Sequence, residues 1–257
     1  MAIIETESVV LKQYDLGESD KIITFYTKDY GKIRAIAKGV RKGNNRFSGI
    51  VLPFSYNLLT VYKGRSLDRI NQLNNIFSFS KLREDLTKMA FASFMAEIIE
   101  KVGLENNPNQ ALFSLLLASF YRILKKEEKD IKYIELAFKI LIMGILGFKP
   151  VLKQCVLCNN EVVYSNRNLL AVEYGGLICN NCIKDEYKYN KENVFLRGES
   201  LKIMNIILER GFAPLDKLII SKSAYVELDK AINNFLFYHL DLNLKSLDFL
   251  NMIKNLG

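Results

Sequence analysis

The sequence contains a single histidine, His239, among 257 residues. Ser-His-Asp and Cys-His nucleophiles, and metal sites with two or more imidazole ligands, would all have to run through that one ring. Tryptophan is absent, and 4 prolines and 14 glycines are far too few for collagen-like or low-complexity sequence. No apolar run reaches the ~18 residues of a membrane span. The nearest, Leu115–Phe120 and Ile140–Phe148, are short and flanked by Arg122, Lys139 and Lys149, which reads as core helix. The opening Met-Ala-Ile-Ile-Glu5-Thr-Glu7 is acidic where a secretory leader needs a basic start, so a cytosolic protein with no membrane partner is expected. Gly31-Lys32 is followed by Ile33 and has no glycine five residues before it, so there is no phosphate loop and no ATPase is expected. Asp15, Glu18, Asp20 and Asp29 have no distinctive spacing and read as solvated turn charge rather than a nuclease metal site.

What is present is ordinary globular material, 49% hydrophobic and 25% charged, with a net charge of +8. The charge is uneven. Residues 1–80 hold 12 Lys/Arg against 7 Asp/Glu, and the remainder 24 against 21. Between Gly31 and Leu67 there is no acid, while Lys32, Arg34, Lys38, Arg41, Lys42, Arg46, Lys63 and Arg65 all fall there. Ordinary surfaces mix both signs; a long window of one sign is the footprint of a polyanion partner.

Hydrophobic patterning divides the chain into a β-rich and an α-rich part. Residues 3–13, 20–28, 32–40, 50–63 and 67–77 are rich in Val, Ile, Thr, Tyr or Phe and are separated by turn residues, including Gly43-Asn-Asn45 and Gly64-Arg-Ser66. Five short strands in about 80 residues predict a small barrel of the OB type, which binds oligonucleotides across its strand 2–3 face. In the third strand a period of two places Lys32, Arg34, Ile36 and Lys38 on one side and Ile33, Ala35 and Ala37 on the other. Tyr30 and Phe47 fall in turn-like segments and are the aromatics favoured for stacking on bases.

From Lys81 the period becomes helical. One helix is predicted from Lys81 to about Gly103 after a Ser80 cap, then Gln110–Lys126 after Asn109 and Ile131–Leu146 after Asp130. The last is apolar almost all round and belongs at the centre of a bundle. Helices resume at 199–210, 222–240 and 246–255. His239 is expected to face a helix C-terminus, and Met89, Met95, Met143 and Met204 are expected in the core. The architecture is thus multidomain α+β: residues 1–80 as the barrel and 81–257 as a helical domain interrupted by 155–182.

That interruption holds all four cysteines, Cys155-Val-Leu-Cys158 and Cys179-Asn-Asn-Cys182, with 20 residues between the pairs. Two C-x2-C turns supply the tetrahedral thiolate shell that Zn²⁺ prefers, and Val162–Tyr164 with Leu169–Tyr174 reads as the hairpin of a zinc ribbon. Four thiolates leave no open position for water, so one structural zinc ion is expected.

The segment Glu7-Ser-Val-Val-Leu-Lys-Gln-Tyr-Asp-Leu-Gly-Glu-Ser-Asp-Lys-Ile-Ile23, the run Gly31-Lys-Ile-Arg-Ala-Ile-Ala-Lys-Gly-Val-Arg-Lys42, then Phe47 and Leu52-Pro-Phe-Ser55 resemble the N-terminal pattern of the RecO family of recombination mediator and DNA repair proteins. A helical domain with an inserted four-cysteine ribbon matches the rest. The resemblance implies a non-enzymatic protein that binds single- and double-stranded DNA, with Lys32, Arg34, Lys38, Arg41, Lys42 and Arg46 as the expected contacts. It implies annealing of complementary strands without ATP, contact with RecR and single-stranded-DNA-binding protein, and help in loading RecA, in a bacterial cytoplasm and on the nucleoid when bound to DNA. Some family members lack the cysteines, which makes zinc a fold element. The residues alone leave three alternatives: an RNA-binding OB-fold protein, a nuclease and a non-catalytic interaction scaffold.

Overall fold

A computed structural model describes residues 2–42 and 47–256. The predicted turn at 43–45 and the predicted contact Arg46 lie outside the described residues. Two compact units divide the chain, residues 1–131 with 244–257, and residues 132–243.

In the first unit, β1 (Ile3–Leu16), β2 (Asp20–Thr27), β3 (Gly31–Ala37), β4 (Tyr56–Tyr62) and β5 (Asp68–Phe77) close into a barrel in the order β1-β2-β3-β5-β4. The period-two apolar residues Val10, Ile23, Phe25, Ile33, Ala35, Leu59, Val61, Ile70 and Leu73 fill its interior. Every neighbouring pair is antiparallel except β3 with β5, which is parallel and only two residue pairs long. Several strand ends differ from the sequence reading. β1 runs three residues further, to Leu16. β3 stops at Ala37, so Lys38 lies in the following turn, where the Gly39 N–H donates to the Asp20 carboxylate at 2.7 Å. β4 begins only at Tyr56, because the chain from Phe47 onward first turns to bond β1: Val10 N–H donates to Ser55 O at 2.9 Å and Phe54 N–H to Val10 O at 2.8 Å.

The first predicted helix is two, α1 (Ser80–Arg83) and α2 (Leu86–Val102). Ser80 is the first residue of α1 and not a cap; Phe79, in the left-handed region, precedes it. Asp85 starts a fresh helix by accepting from Lys88 N–H at 2.9 Å. Asn109 caps α3 (Gln110–Lys125) as expected, accepting from Ala111 and Leu112 N–H. Phe79 packs edge-on against Phe77, Phe120 and Tyr121, joining the end of the barrel to α3.

The second unit holds most of α4 (Glu128–Ile145), which starts three residues earlier than predicted, with Glu128 and Asp130 in its first turn, where acids suit the helix dipole. Next comes a sheet ordered β7-β6-β8, from β6 (Asn168–Ala171), β7 (Gly176–Ile178) and β8 (Val194–Leu196). Val162–Tyr164 is not a strand; the third strand comes from beyond the second cysteine pair. α5 (Asp185–Tyr189), α6 (Gly198–Arg210) and α7 (Lys222–Leu240) complete the unit, and α8 (Ser246–Leu256) belongs to the first. Met95, Met143 and Met204 are fully buried. His239 lies in the last turn of α7 as expected; its ring packs on Phe148 and Phe235, and its Nε2 bonds Val172 O at 2.9 Å. No helix among the described residues is long and apolar enough to cross a membrane.

The apolar run of α4 conceals an ion cluster. Lys139 is fully buried, and its Nζ lies 2.7 Å from Glu135, 2.6 Å from Asp229 and 2.7 Å from Asn233 Oδ1. Lys139→Met leaves the buried Glu135 carboxylate without its cation and should cost about 3–5 kcal/mol. Adding Glu135→Leu should recover part of that loss, as read from urea midpoints. In the first unit, Glu97 of α2 clamps the start of α8 by accepting from Ser246 N–H at 2.7 Å and from Ser246 Oγ and Lys245 N–H. Burial opposes the charge on Glu97, but these donors outweigh it and hold the carboxyl below its usual range. A depressed carboxyl stabilises above its unfolded pKa and stops doing so as pH falls through its folded value. The hydrogen-exchange protection of α8, relative to the intrinsic rate at each pH, should therefore fall below about pH 4, and Glu97→Gln should lower it at neutral pH.

Candidate nucleic-acid interface and metal centre

The pleat of β3 sorts its residues as the sequence pattern requires: Ile33, Ala35 and Ala37 point into the barrel, and Lys32, Arg34 and Ile36 point out. The outward cations are not bare. Lys32 Nζ donates to Glu100 O at 2.8 Å, in the last turn of α2, where the helix dipole favours a cation. Arg34 Nε lies 3.0 Å from Glu105 Oε1, with both side chains about half exposed. Lys38, Arg41 and Lys42 gather at the other end of β3 beside the β1–β2 turn, where Arg41 donates to Gly17 O at 2.9 Å and pairs with Asp15 at 3.4 Å. Asp20 sits among them. The Gly39 N–H first, then Ser19 Oγ and the charges of Lys38 and Lys42, hold its carboxyl below the usual range.

Two cations flank the same face from the β4–β5 turn. Lys63 and Arg65 border an open, polar groove of about 380 Å³ together with Lys32, Arg34, Asp68 and Glu105. Both lie in the acid-free window of the sequence, but only the barrel's closure brings them beside β3. Gly64 shapes this turn, since a Cβ there would lie 1.9 Å from Leu67 O. Lys63 Nζ and Gly64 N–H both reach the buried Asp68 carboxylate, at 3.0 and 3.1 Å.

The aromatic expectation fails for Phe47, which is buried in the barrel core; Tyr30 is partly buried and packs against that core. Among the described residues the barrel strands expose two rings, Phe77 at 37% and Tyr14 at 51%, the latter with Lys12 Nζ 5.1 Å from its centroid. The acidic residues do not form a metal site. Asp15 is paired with Arg41 and Lys21, and Asp29 accepts from Thr6 Oγ1 at 2.8 Å.

The four cysteines do converge, and they are the one metal-competent group of histidines, cysteines and acids among the described residues. Their sulfurs all lie within 4.8 Å of one another, and Cys158 Sγ is 3.7 Å from Cys179 Sγ. Each pair sits on a tight turn: Asn159 N–H donates to Cys155 O, and Cys182 N–H to Cys179 O, both at 2.9 Å. A tetrahedron with metal–sulfur bonds of about 2.3 Å has edges of roughly 3.8 Å, so the cluster has the size of a thiolate-held metal ion. Burial works against a Cys155 thiolate, yet the N–H groups of Cys179, Cys158 and Leu157 outweigh it and bring this thiol down to about 6. Cys182 donates to the other sulfurs and is pushed up to about 12. Four thiol sulfurs at this spacing are a donor set that exchanges its protons for a divalent cation.

Family comparison covers nearly the whole chain. Residues 1–79 match the model described as Recombination protein O N terminal, and residues 83–248 match Recombination protein O C terminal. A protein of Alkaliphilus metalliredigens named DNA repair protein RecO is 34% identical over 98% of this chain and 100% of its own length. A Thermoanaerobacter protein of the same name is 30% identical over 100% of both chains, and one from Bacillus pumilus is 29% identical over 99% of this chain and 96% of its own. With a five-stranded barrel, a helical region and a four-cysteine cluster, the chain belongs to the RecO family of DNA repair proteins.

Proposed function

We propose that this protein is a DNA repair and homologous recombination mediator that binds single- and double-stranded DNA and anneals complementary strands without ATP. Its activity is binding rather than catalysis, carried out in the cytoplasm and on the nucleoid. The observation that carries this reading is the outward cation row of β3, Lys32 and Arg34, continued by Lys38, Arg41 and Lys42 in the turn after it, on a barrel of OB topology. Two single strands repel through their phosphates, and a basic platform that neutralises both lowers that barrier while released counterions supply affinity. Arg46 extends the same basic segment in sequence. The RecO family membership supports the finer partners of this reading: RecR and single-stranded-DNA-binding protein in direct contact, with RecA loaded onto the coated strand as the outcome.

The cysteine cluster takes one Zn²⁺ in this reading. Cys155, Cys158, Cys179 and Cys182 would hold it, and when bound it supplies a cross-link between two turns. The closed thiolate shell keeps water from the ion, and the turn hydrogen bonds fix the sulfurs.

Salt dependence tests the interface. Because Lys32 also holds the end of α2, the informative variant is Arg34→Ala/Lys38→Ala/Lys42→Ala. Its plot of log K against log salt for single-stranded DNA should be shallower than wild type by up to about two units, at roughly 0.7 per phosphate lost. An unchanged slope would remove this face from the site. Elemental analysis tests the metal. Wild type should carry one zinc per chain, and Cys158→Ser should lose it and melt at lower temperature; a zinc-free wild type melting as high as the loaded protein would end the cross-link role.

A further inference from the structure

The groove between β3 and the β4–β5 turn already contains anions of the protein's own. Its two carboxylates are held differently. Asp68 is buried and fixed by Lys63 and the Gly64 N–H, as part of the turn. Glu105 is about half exposed and holds only the equally exposed Arg34, at 3.0 Å. Its backbone, by contrast, cannot leave. Residues 104–107 lie along the free edge of β3, bridging Gly31 and Lys32 to Glu105, with Lys32 N–H donating to Leu104 O at 2.9 Å. The approach is so close that a Cβ on Gly31 would lie 2.4 Å from Leu104 O and 2.7 Å from Asn107 O. The chain thus latches a half-exposed carboxylate onto the guanidinium that faces the groove. Arg65, on the opposite rim, is exposed and has no partner among the described residues.

We propose that Glu105 is a tethered competitor for nucleic-acid phosphate. Its carboxylate occupies the phosphate position on Arg34, and a strand entering the groove displaces it while Arg65 and Lys63 take up the neighbouring phosphates. The proposal rests on the DNA-binding reading above and deepens it by naming a residue that limits affinity. An exposed ion pair is weak and screened by salt, so displacement is easy, yet tethering restores the carboxylate whenever the phosphate leaves. The device favours a strand that is held and released over one that is trapped. Glu105 gave no signal in the sequence because it lies outside the basic window and reaches Arg34 only through the latch on β3.

The test is a titration of a labelled single-stranded oligonucleotide at low and moderate salt with wild type, Glu105→Gln, Arg34→Ala and the double variant, each checked for an unchanged melting temperature. Glu105→Gln keeps the backbone bridges, so folding should be retained. Expected is binding about two- to fivefold tighter for Glu105→Gln at low salt, with the gain shrinking as salt rises and vanishing in the Arg34→Ala background. An equal gain in both backgrounds would make Glu105 a general surface charge and overturn the proposal, as would no gain or a loss. If wild type itself fails to bind DNA at low salt, the DNA-binding reading falls and takes the proposal with it, a failure recognisable because it precedes any comparison of variants.

Discussion

The exposed edge of β3 is the constraint around which the N-terminal unit is arranged. A five-stranded barrel closes by joining β3 to β5, and here that parallel seam is only two residue pairs long. The rest of the edge would present unpaired backbone groups to water. The connection between α2 and α3 covers it instead, through the bridges from Glu105 to Gly31 and Lys32. The consequences reach the surface chemistry. The seal requires glycine at position 31 and brings the carbonyl end of α2 to the Lys32 ammonium. It also carries Glu105 to Arg34. The cations that a polyanion would use are therefore ordered by the same contact that completes the barrel.

The ribbon in the second unit follows a different logic. Its three strands are each three or four residues long, too few to hold a sheet by themselves. Its small cluster packs Leu169, Ala171, Ile178 and Tyr187 around Cys155, so the cysteine turns and the core beneath them form together. A cross-link through four sulfurs suits such a sheet better than added apolar area would. The buried Lys139 cluster fastens α4 to α7 in the same unit through charge, beside the edge-on contact of Tyr133 with Tyr225.

Much of this was legible in the chain. Period two in β3 gave the inner and outer faces correctly because the barrel buries one side only, and two C-x2-C pairs identified the sulfur cluster because the spacing itself is the chemistry. Asn109 announced α3 through a local bond. What escaped depends on contacts distant in sequence. Lys38 left the strand where Asp20 captures the Gly39 amide, and Phe47 packs into the barrel core with Val40 and Val51. Lys139 was hidden in an apolar run because its partners Asp229 and Asn233 lie about 90 positions away. Lys63 and Glu105 joined the groove only after closure, and no local pattern marks a residue for its place across a barrel seam.

The most direct test of the central claim is annealing of two complementary DNA oligonucleotides by the purified protein without nucleotide, with strands bare and strands coated by single-stranded-DNA-binding protein, and RNA strands in parallel. The account predicts rapid annealing of bare and coated DNA. Failure on both would contradict a mediator built on the β3 face, and annealing of bare strands alone would contradict direct contact with the coating protein.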